Sequence, residues 1–235
     1  MEIVQLGSLY LNGEVRTPGT VKGVFETPSI GDTVGGHEIQ WVKDGERLIA
    51  DRCIVQNITW NDLDVFGFIF GCPVLIDGKR YLCRSLKGGA LPETPNEWDD
   101  LLKRHGGKES LWHWQRVYFW CQEDHEGQKV VRGSVFADRW RTFESSHTEP
   151  FVGFRPVLEP LSSELVVPGS LVGKIVRVHG PRGMVITGML KGVDDYDLTL
   201  HLADSMLCPT DGVQANGEFV TIDLNSVLQV QEVKI

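Results

Sequence analysis

Phe151-Val152-Gly153-Phe154-Arg155-Pro156-Val157-Leu158 reads as one short, almost wholly apolar strand with a single cation inside it. An arginine in such a run is predicted to be buried and paired, because a charge is removed from water only where other groups satisfy it. Ten residues upstream of this run's start lies a cluster of the opposite character, Arg139-Trp140-Arg141, set in a polar stretch.

From Ser110 to Leu158 the chain is dense in Trp, Arg and Tyr and poor in helical periodicity, which predicts short strands, among them Trp114–Trp120 and Val130–Phe136, joined by structured loops. Upstream, Pro73-Val74-Leu75-Ile76-Asp77-Gly78-Lys79-Arg80-Tyr81-Leu82-Cys83-Arg84 places two β-rich arms around Asp-Gly, the strongest hairpin signal in the sequence. Asn12-Gly13 and Asp44-Gly45 mark further turns. A short helix is predicted near Ile58–Leu63, with Asn57 or Thr59 as its cap. A firmer one starts at Thr94-Pro95-Asn96-Glu97: Thr94 caps, Pro95 suits the first turn and Glu97 closes a capping box. Trp98, Leu101 and Leu102 give it an apolar stripe, and His105-Gly106-Gly107 ends it. Residues 159–169, with two prolines and two serines in the middle, read as a linker. Beyond them, four or five short strands with turns describe a small, strongly bent barrel.

The order of the Asp77-Gly78-Lys79-Arg80-Tyr81 hairpin, the Asn96–Arg104 helix, the Arg132-Gly133-Ser134 turn and Val152-Gly153-Phe154-Arg155 resembles the formylglycine-generating-enzyme-like branch of the C-type lectin fold. In that branch a Gly-Phe-Arg strand ends the domain and the irregular stretch before it builds the ligand surface. The resemblance implies a C-type-lectin-like domain over residues 1–160. Catalytic members carry a cysteine pair shortly before the closing strand, and residues 122–158 contain no cysteine, so their chemistry has no sulfur to use. Residues 168–235 resemble the Sm-like small barrel. Val185-Ile186-Thr187-Gly188 through Leu198-Thr199-Leu200 matches its first motif, and Val220–Val230 stands in the place of its second. Its base-contacting Asn is Asp197 here and its cationic pair is replaced by Asp223-Leu224-Asn225-Ser226, so RNA binding is not expected to accompany the barrel. The fold class expected is α+β, a C-type-lectin-like domain followed by a small all-β Sm-like or SH3-like barrel.

The candidate ligand-binding residues are Trp112, Trp114, Arg139, Trp140, Arg141 and His147. Trp112 and Trp114 sit two apart, so on a strand they share a face and offer a stacking platform, although tryptophans are more often core. Arg139 and Arg141 can grip a carboxylate or phosphate by bidentate forks, or form ion pairs with Asp138 or Glu144. His113, His125 and His147 with Glu123, Asp124 and Glu149 match no zinc spacing and read as solvated loops, as do Asp194, Asp195 and Asp197. No metal, cofactor or catalytic residue is expected, and no Walker loop, GxSxG or HExxH is present.

The net charge of −9 argues against a broad phosphate-binding footprint, and it is shared: residues 166–235 carry five Lys/Arg against eight Asp/Glu, leaving −6 for the rest. Cys53, Cys72, Cys83, Cys121 and Cys208 form no CxxC pair and read as reduced, mostly buried thiols, with a Cys72–Cys83 disulfide as the alternative. The first residues lack a secretory pattern and no apolar run reaches the ~20 residues of a membrane helix. The functional expectation is a non-enzymatic ligand-binding or display protein of bacterial, phage or mobile-element type, located in the cytoplasm or a phage particle. It would bind a protein or carbohydrate through residues 110–150, and its barrel would serve assembly as a homo-oligomer. The alternatives are an Sm-like nucleic-acid-associated protein with an accessory domain, and an enzyme with a site around His113, Glu123 and His147.

Overall fold

In a computed structural model describing residues 2–89, 96–161, 167–180, 184–194, 196–202 and 212–233, the chain is 50% strand and 12% helix, in three sheets. This is a β-rich protein, which corrects the α+β expectation. Its helices are only six, nine and four residues long. Gly and turn residues break the apolar runs every few positions, so period-2 pairing prevails over helix almost everywhere. The chain divides into two compact units, one of Met1–Cys72 with Ile76–Pro160 and one of Leu161–Ile235 with Pro73–Leu75.

The first unit runs β1 (Ile3–Leu11), β2 (Glu14–Arg16), β3 (Thr20–Val21), β4 (Pro28–Gly31), β5 (Glu38–Asp44), β6 (Arg47–Ala50), β7 (Val55–Gln56) and α1 (Trp60–Val65). It continues with β8 (Cys72–Ile76), β9 (Lys79–Ser85), α2 (Glu97–His105), α3 (Glu109–Trp112), β10 (Tyr118–His125), β11 (Gln128–Gly133), β12 (Trp140–Phe143), β13 (Val152–Phe154) and β14 (Pro156–Pro160). One sheet has the order β2-β1-β5-β6-β14-β9-β8, with β4 also on β1, and the second has the order β12-β11-β10-β13-β7-β3. Asp77 and Gly78 form the hairpin loop with φ of 50° and 73°, as the sequence signal requires. The second loop falls one residue later than its signal, at Gly45-Glu46, because Asp44 pairs with Arg47.

The opening stretch does not stay in one sheet. β13 belongs to the second sheet and β14 to the first, and Arg155 is the single residue between them. It is 0% exposed and donates to the carbonyls of Ala50 (3.1 Å), Asp51 (2.8 Å) and Trp112 (2.5 Å), with the Trp98 and Phe119 rings 5.1 and 4.8 Å from its guanidinium carbon. The sequence places Arg155 inside; its hydrogen-bond partners are carbonyls, so it serves as a cross-link between backbones. Gly153 permits the crossing, since a Cβ there would lie 2.5 Å from the Val55 carbonyl oxygen.

The helix α2 is capped by Asn96, whose side chain accepts from the Asp99 amide; Thr94 and Pro95 lie outside the described residues. Trp98 and Leu101 bury its inner face beside Trp112, Phe119 and Cys121. Its ends are tied to the first sheet by charge. Arg84 bridges Glu97 and Glu159, while Asp44 receives Arg47, Arg104 and His105. Burial opposes ionisation of Asp44, yet those donors hold its carboxyl at about 2. At α1 the cap is Thr59, in a reciprocal box with Asp62.

The second unit comprises β15 (Ile175–His179), β16 (Val185–Val193), β17 (Asp197–His201), β18 (Val213–Asn216), β19 (Phe219–Asp223) and β20 (Gln229–Glu232), in the order β18-β19-β17-β16-β15-β20. Val176, Val178, Leu190, Leu198, Leu200, Val220 and Ile222 close its core. At Gly188 a Cβ would lie 2.7 Å from the His201 carbonyl oxygen, so β16 passes its neighbour at a distance only glycine allows. His179 is 4% exposed and among the described residues neither ring nitrogen has a partner; burial pulls it down to about 4.

Candidate functional site

The hairpin β10–β11 turns at Glu126-Gly127, with φ of 53° and 79°. Its outer neighbour β12 forms an edge of the second sheet among the described residues. The loop that joins β11 to β12, residues 133–139, is held by several backbone hydrogen bonds. Gly133 N donates to Arg139 O across its base, Arg139 N to Phe136 O, and Ser134 N to Trp114 O. Gly133 has φ 99°, and a Cβ there would stand 2.7 Å from the Val117 carbonyl oxygen, so only glycine fits. Ser134 follows at φ 78°, a conformation that a non-glycine residue holds only when its surroundings impose it.

Two buried donors hold the loop from beneath. Arg132, 3% exposed, gives its Nε to Gly88 O (2.6 Å), one Nη to Asp138 O and the other to Asp99 Oδ2 (2.8 Å). Trp98 Nε1 donates to Ala137 O (2.6 Å). The loop backbone is therefore fixed to α2 and to the Gly88 turn. Its large apolar side chains are exposed: Val135 is 53% and Phe136 60% exposed. Beside the loop, Leu102 and Lys103 of α2, Gly107, Ala137, Asp138 and Trp140 line an open cleft of about 540 Å³, a size that accommodates a small ligand or a few residues of a peptide.

The six residues singled out by sequence are distributed differently from expectation. Trp112 is 0% exposed, its indole N–H donates to Gly106 O (2.8 Å), and it packs against Trp98; it is a core residue and not part of any ligand surface. Trp112 and Trp114 share no strand, because Glu109–Trp112 is a helical turn that His113 ends in the left-handed region at φ 41°. Trp114 is half-buried, packed on the same core, with its N–H on Gly107 O (3.0 Å). Trp140 lines the cleft with its ring 5.4 Å from His125. Arg132 pairs with Trp140 and Val131 with Arg141, so alternation puts Trp140 on the α2 side and Arg141 with Phe143 on the opposite face. His147 lies on that opposite face, stacked on Phe143 at 4.2 Å. Arg139 and Arg141 form no ion pair with Asp138 or Glu144.

Three other groupings do not assemble. His113 Nε2 faces Asp51 Oδ2 at 3.4 Å, Glu123 accepts from Gly88 N at 2.9 Å, and His147 stacks on Phe143, so the three are committed to separate partners. Among the described residues no group of three or more His, Cys, Asp or Glu side chains is placed to hold a metal ion. Asp194 accepts from the amides of Tyr196 and Asp197, as an acidic turn does; Asp195 lies outside the described residues. Cys53, Cys72, Cys83 and Cys121 are free and buried, and burial raises each thiol. No helix among the described residues is long and apolar enough to cross a membrane.

Sequence reading missed Arg132, Val135 and Phe136. The Glu126-Gly127 turn between two apolar arms was the available signal, since it fixes β11 and leaves Val135-Phe136 beyond its end. No protein-family model, curated protein or solved structure matches this chain.

Proposed function

We propose that the protein is a non-enzymatic binding or display protein whose ligand surface is the loop 133–139 together with the Trp140 cleft. The observation that carries this reading is a rigid backbone bearing exposed apolar side chains. Arg132 and Trp98 hold the loop from the inside while Val135 and Phe136 face water. Exposed apolar groups cost little to desolvate, and a preformed loop has little entropy left to lose on binding. An aromatic wall with a few polar groups at the rim suits a protein segment or a carbohydrate, and the second unit serves assembly. Its two motif positions, Asp197 and Asp223, pair directly across β17 and β19. Acidic residues at these two positions do not favour a phosphate backbone, so the reading does not include nucleic acid as the partner.

The test is a combined peptide and glycan array probed with the wild type and with Trp140→Ala. Ligands that bind the wild type should lose most of their signal with the variant. Binding that is equal for both proteins would move the ligand surface elsewhere and refute the reading.

A further inference from the structure

The side of β12 that faces away from the cleft carries an unused set of donors. Arg16, Arg47, Arg52, Arg84, Arg104 and Arg132 each hold a carboxylate within salt-bridge distance. Among the described residues the side chains of Arg139 and Arg141 hold none and make no hydrogen bond. They stand two apart, Arg141 within β12 and Arg139 just before it. Alternation from Trp140, which pairs with Arg132, puts Arg141 on the face away from the cleft, and Arg139, its carbonyl held by Gly133 N, precedes Trp140 at the same spacing. Tyr118 and Phe143 meet edge to face at 5.7 Å, and His147 stacks on Phe143.

Among the described residues, Arg139 Nε and His147 Nε2 are each buried without a hydrogen-bond partner. A buried donor left unmade costs about 1–3 kcal/mol, so such atoms in a folded protein mark a place where an acceptor belongs. Arg139 and Arg141 are permanent cations, and His147 adds a ring nitrogen.

We infer that Arg139, Arg141 and His147 form an oxyanion site, taking a carboxylate or phosphate group of a ligand that lies along the edge strand. Guanidinium forks two residues apart can engage one anion in bidentate fashion, with the imidazole supplying a further donor. In a chain of net charge −9 an anion gains nothing from the general field, so its binding must come from this local arrangement. The inference takes the same segment as the proposed ligand surface but uses its other face, and does not require the cleft to be occupied.

The probes are inorganic phosphate and succinate, titrated separately into the full chain at constant ionic strength while arginine Nε–H, His147 ring, Gly107 amide and Trp140 indole signals are followed by NMR. Saturable shifts of Arg139 and His147 with no change at Gly107 are expected. Arg139→Gln with Arg141→Gln should weaken the tighter-binding anion at least tenfold. Phosphate binding without succinate binding would identify a phosphorylated ligand, and the reverse a carboxylate. Shifts absent at Arg139 and His147 with both anions, or an affinity unchanged in the double variant, would overturn the inference. Shifts confined to Gly107 and Trp140 would also overturn it while leaving the cleft as a binding site.

Discussion

Arg155 Nη2 donates to the backbone carbonyl of Trp112 at 2.5 Å, joining the residue where the chain changes sheet to the end of the short helix that leads into the ligand surface. The same guanidinium holds the Ala50 and Asp51 carbonyls through Nη1. One side chain thus ties β6, β13–β14 and α3 together in a place no water reaches.

Arg155→Met should therefore be severely destabilising although it keeps much of the side-chain volume. It leaves three buried carbonyls without donors, and at about 1–3 kcal/mol for each unmade bond the loss is on the order of 3–5 kcal/mol after some relaxation. Urea unfolding followed by tryptophan fluorescence measures it. A loss below ~1 kcal/mol would show that the carbonyls find other partners.

Gly153→Ala tests the crossing itself. The added methyl meets the Val55 carbonyl oxygen at 2.5 Å and the Cys53 side chain at 3.1 Å, and a strand hydrogen-bonded on both sides has no room to shift. A destabilisation of about 2–3 kcal/mol is expected by overpacking, readable in the same unfolding experiment. Gly107→Ala, where the nearest atom is 3.4 Å away, should cost far less.

The second unit should lose stability in mild acid through His179. Its folded value is about 4 against an ordinary 6.5, so above pH 6.5 the ring is neutral in both states and contributes no pH dependence. Between pH 6.5 and 4 the unfolded chain takes up a proton that the folded one refuses, and stability falls by up to ~3 kcal/mol. Unfolding curves at pH 7, 5.5 and 4.5 should show this fall, and His179→Phe should flatten it. An equally steep fall in the variant would assign it to other groups.

The thiols of Cys53, Cys72, Cys83 and Cys121 should resist alkylation in the native protein. Burial raises Cys53 to about 11 and Cys72 to about 12, and the other two rise in the same direction, so almost no thiolate exists at neutral pH. Mass spectrometry after iodoacetamide treatment should find these four unmodified until denaturant is added. Rapid native labelling of any of them would show that its site opens.

Local signals in the sequence were legible where one residue type decides the backbone. Asp77-Gly78 gave its hairpin, the Trp98–Leu101–Leu102 stripe its helix, and the apolar frame of Arg155 its burial. The fold class was not, because a nine-residue helix with clear caps weighs heavily in a reading while many two- to five-residue strands leave weak period-2 traces. Trp112 was misplaced for a related reason. Four residues are too few to reveal helical periodicity, and nothing around His113 announces a left-handed turn. The Arg139-Trp140-Arg141 cluster was legible as a cluster, but the turning of Trp140 to the cleft side and of Arg141 to the other depends on where β12 begins. Val135 and Phe136 were hidden by the ordinary assumption that adjacent large apolar residues go inside, which the bonds from Arg132 and Trp98 to the loop backbone prevent.

Soaking crystals with a library of small fragments shows whether the loop 133–139 and the Trp140 cleft are the ligand surface. Bound fragments should concentrate between Leu102, Ala137 and Trp140, with apolar ones reaching Phe136, while the loop backbone keeps its position. Fragments gathered at another surface, with the cleft left empty throughout, would contradict that assignment.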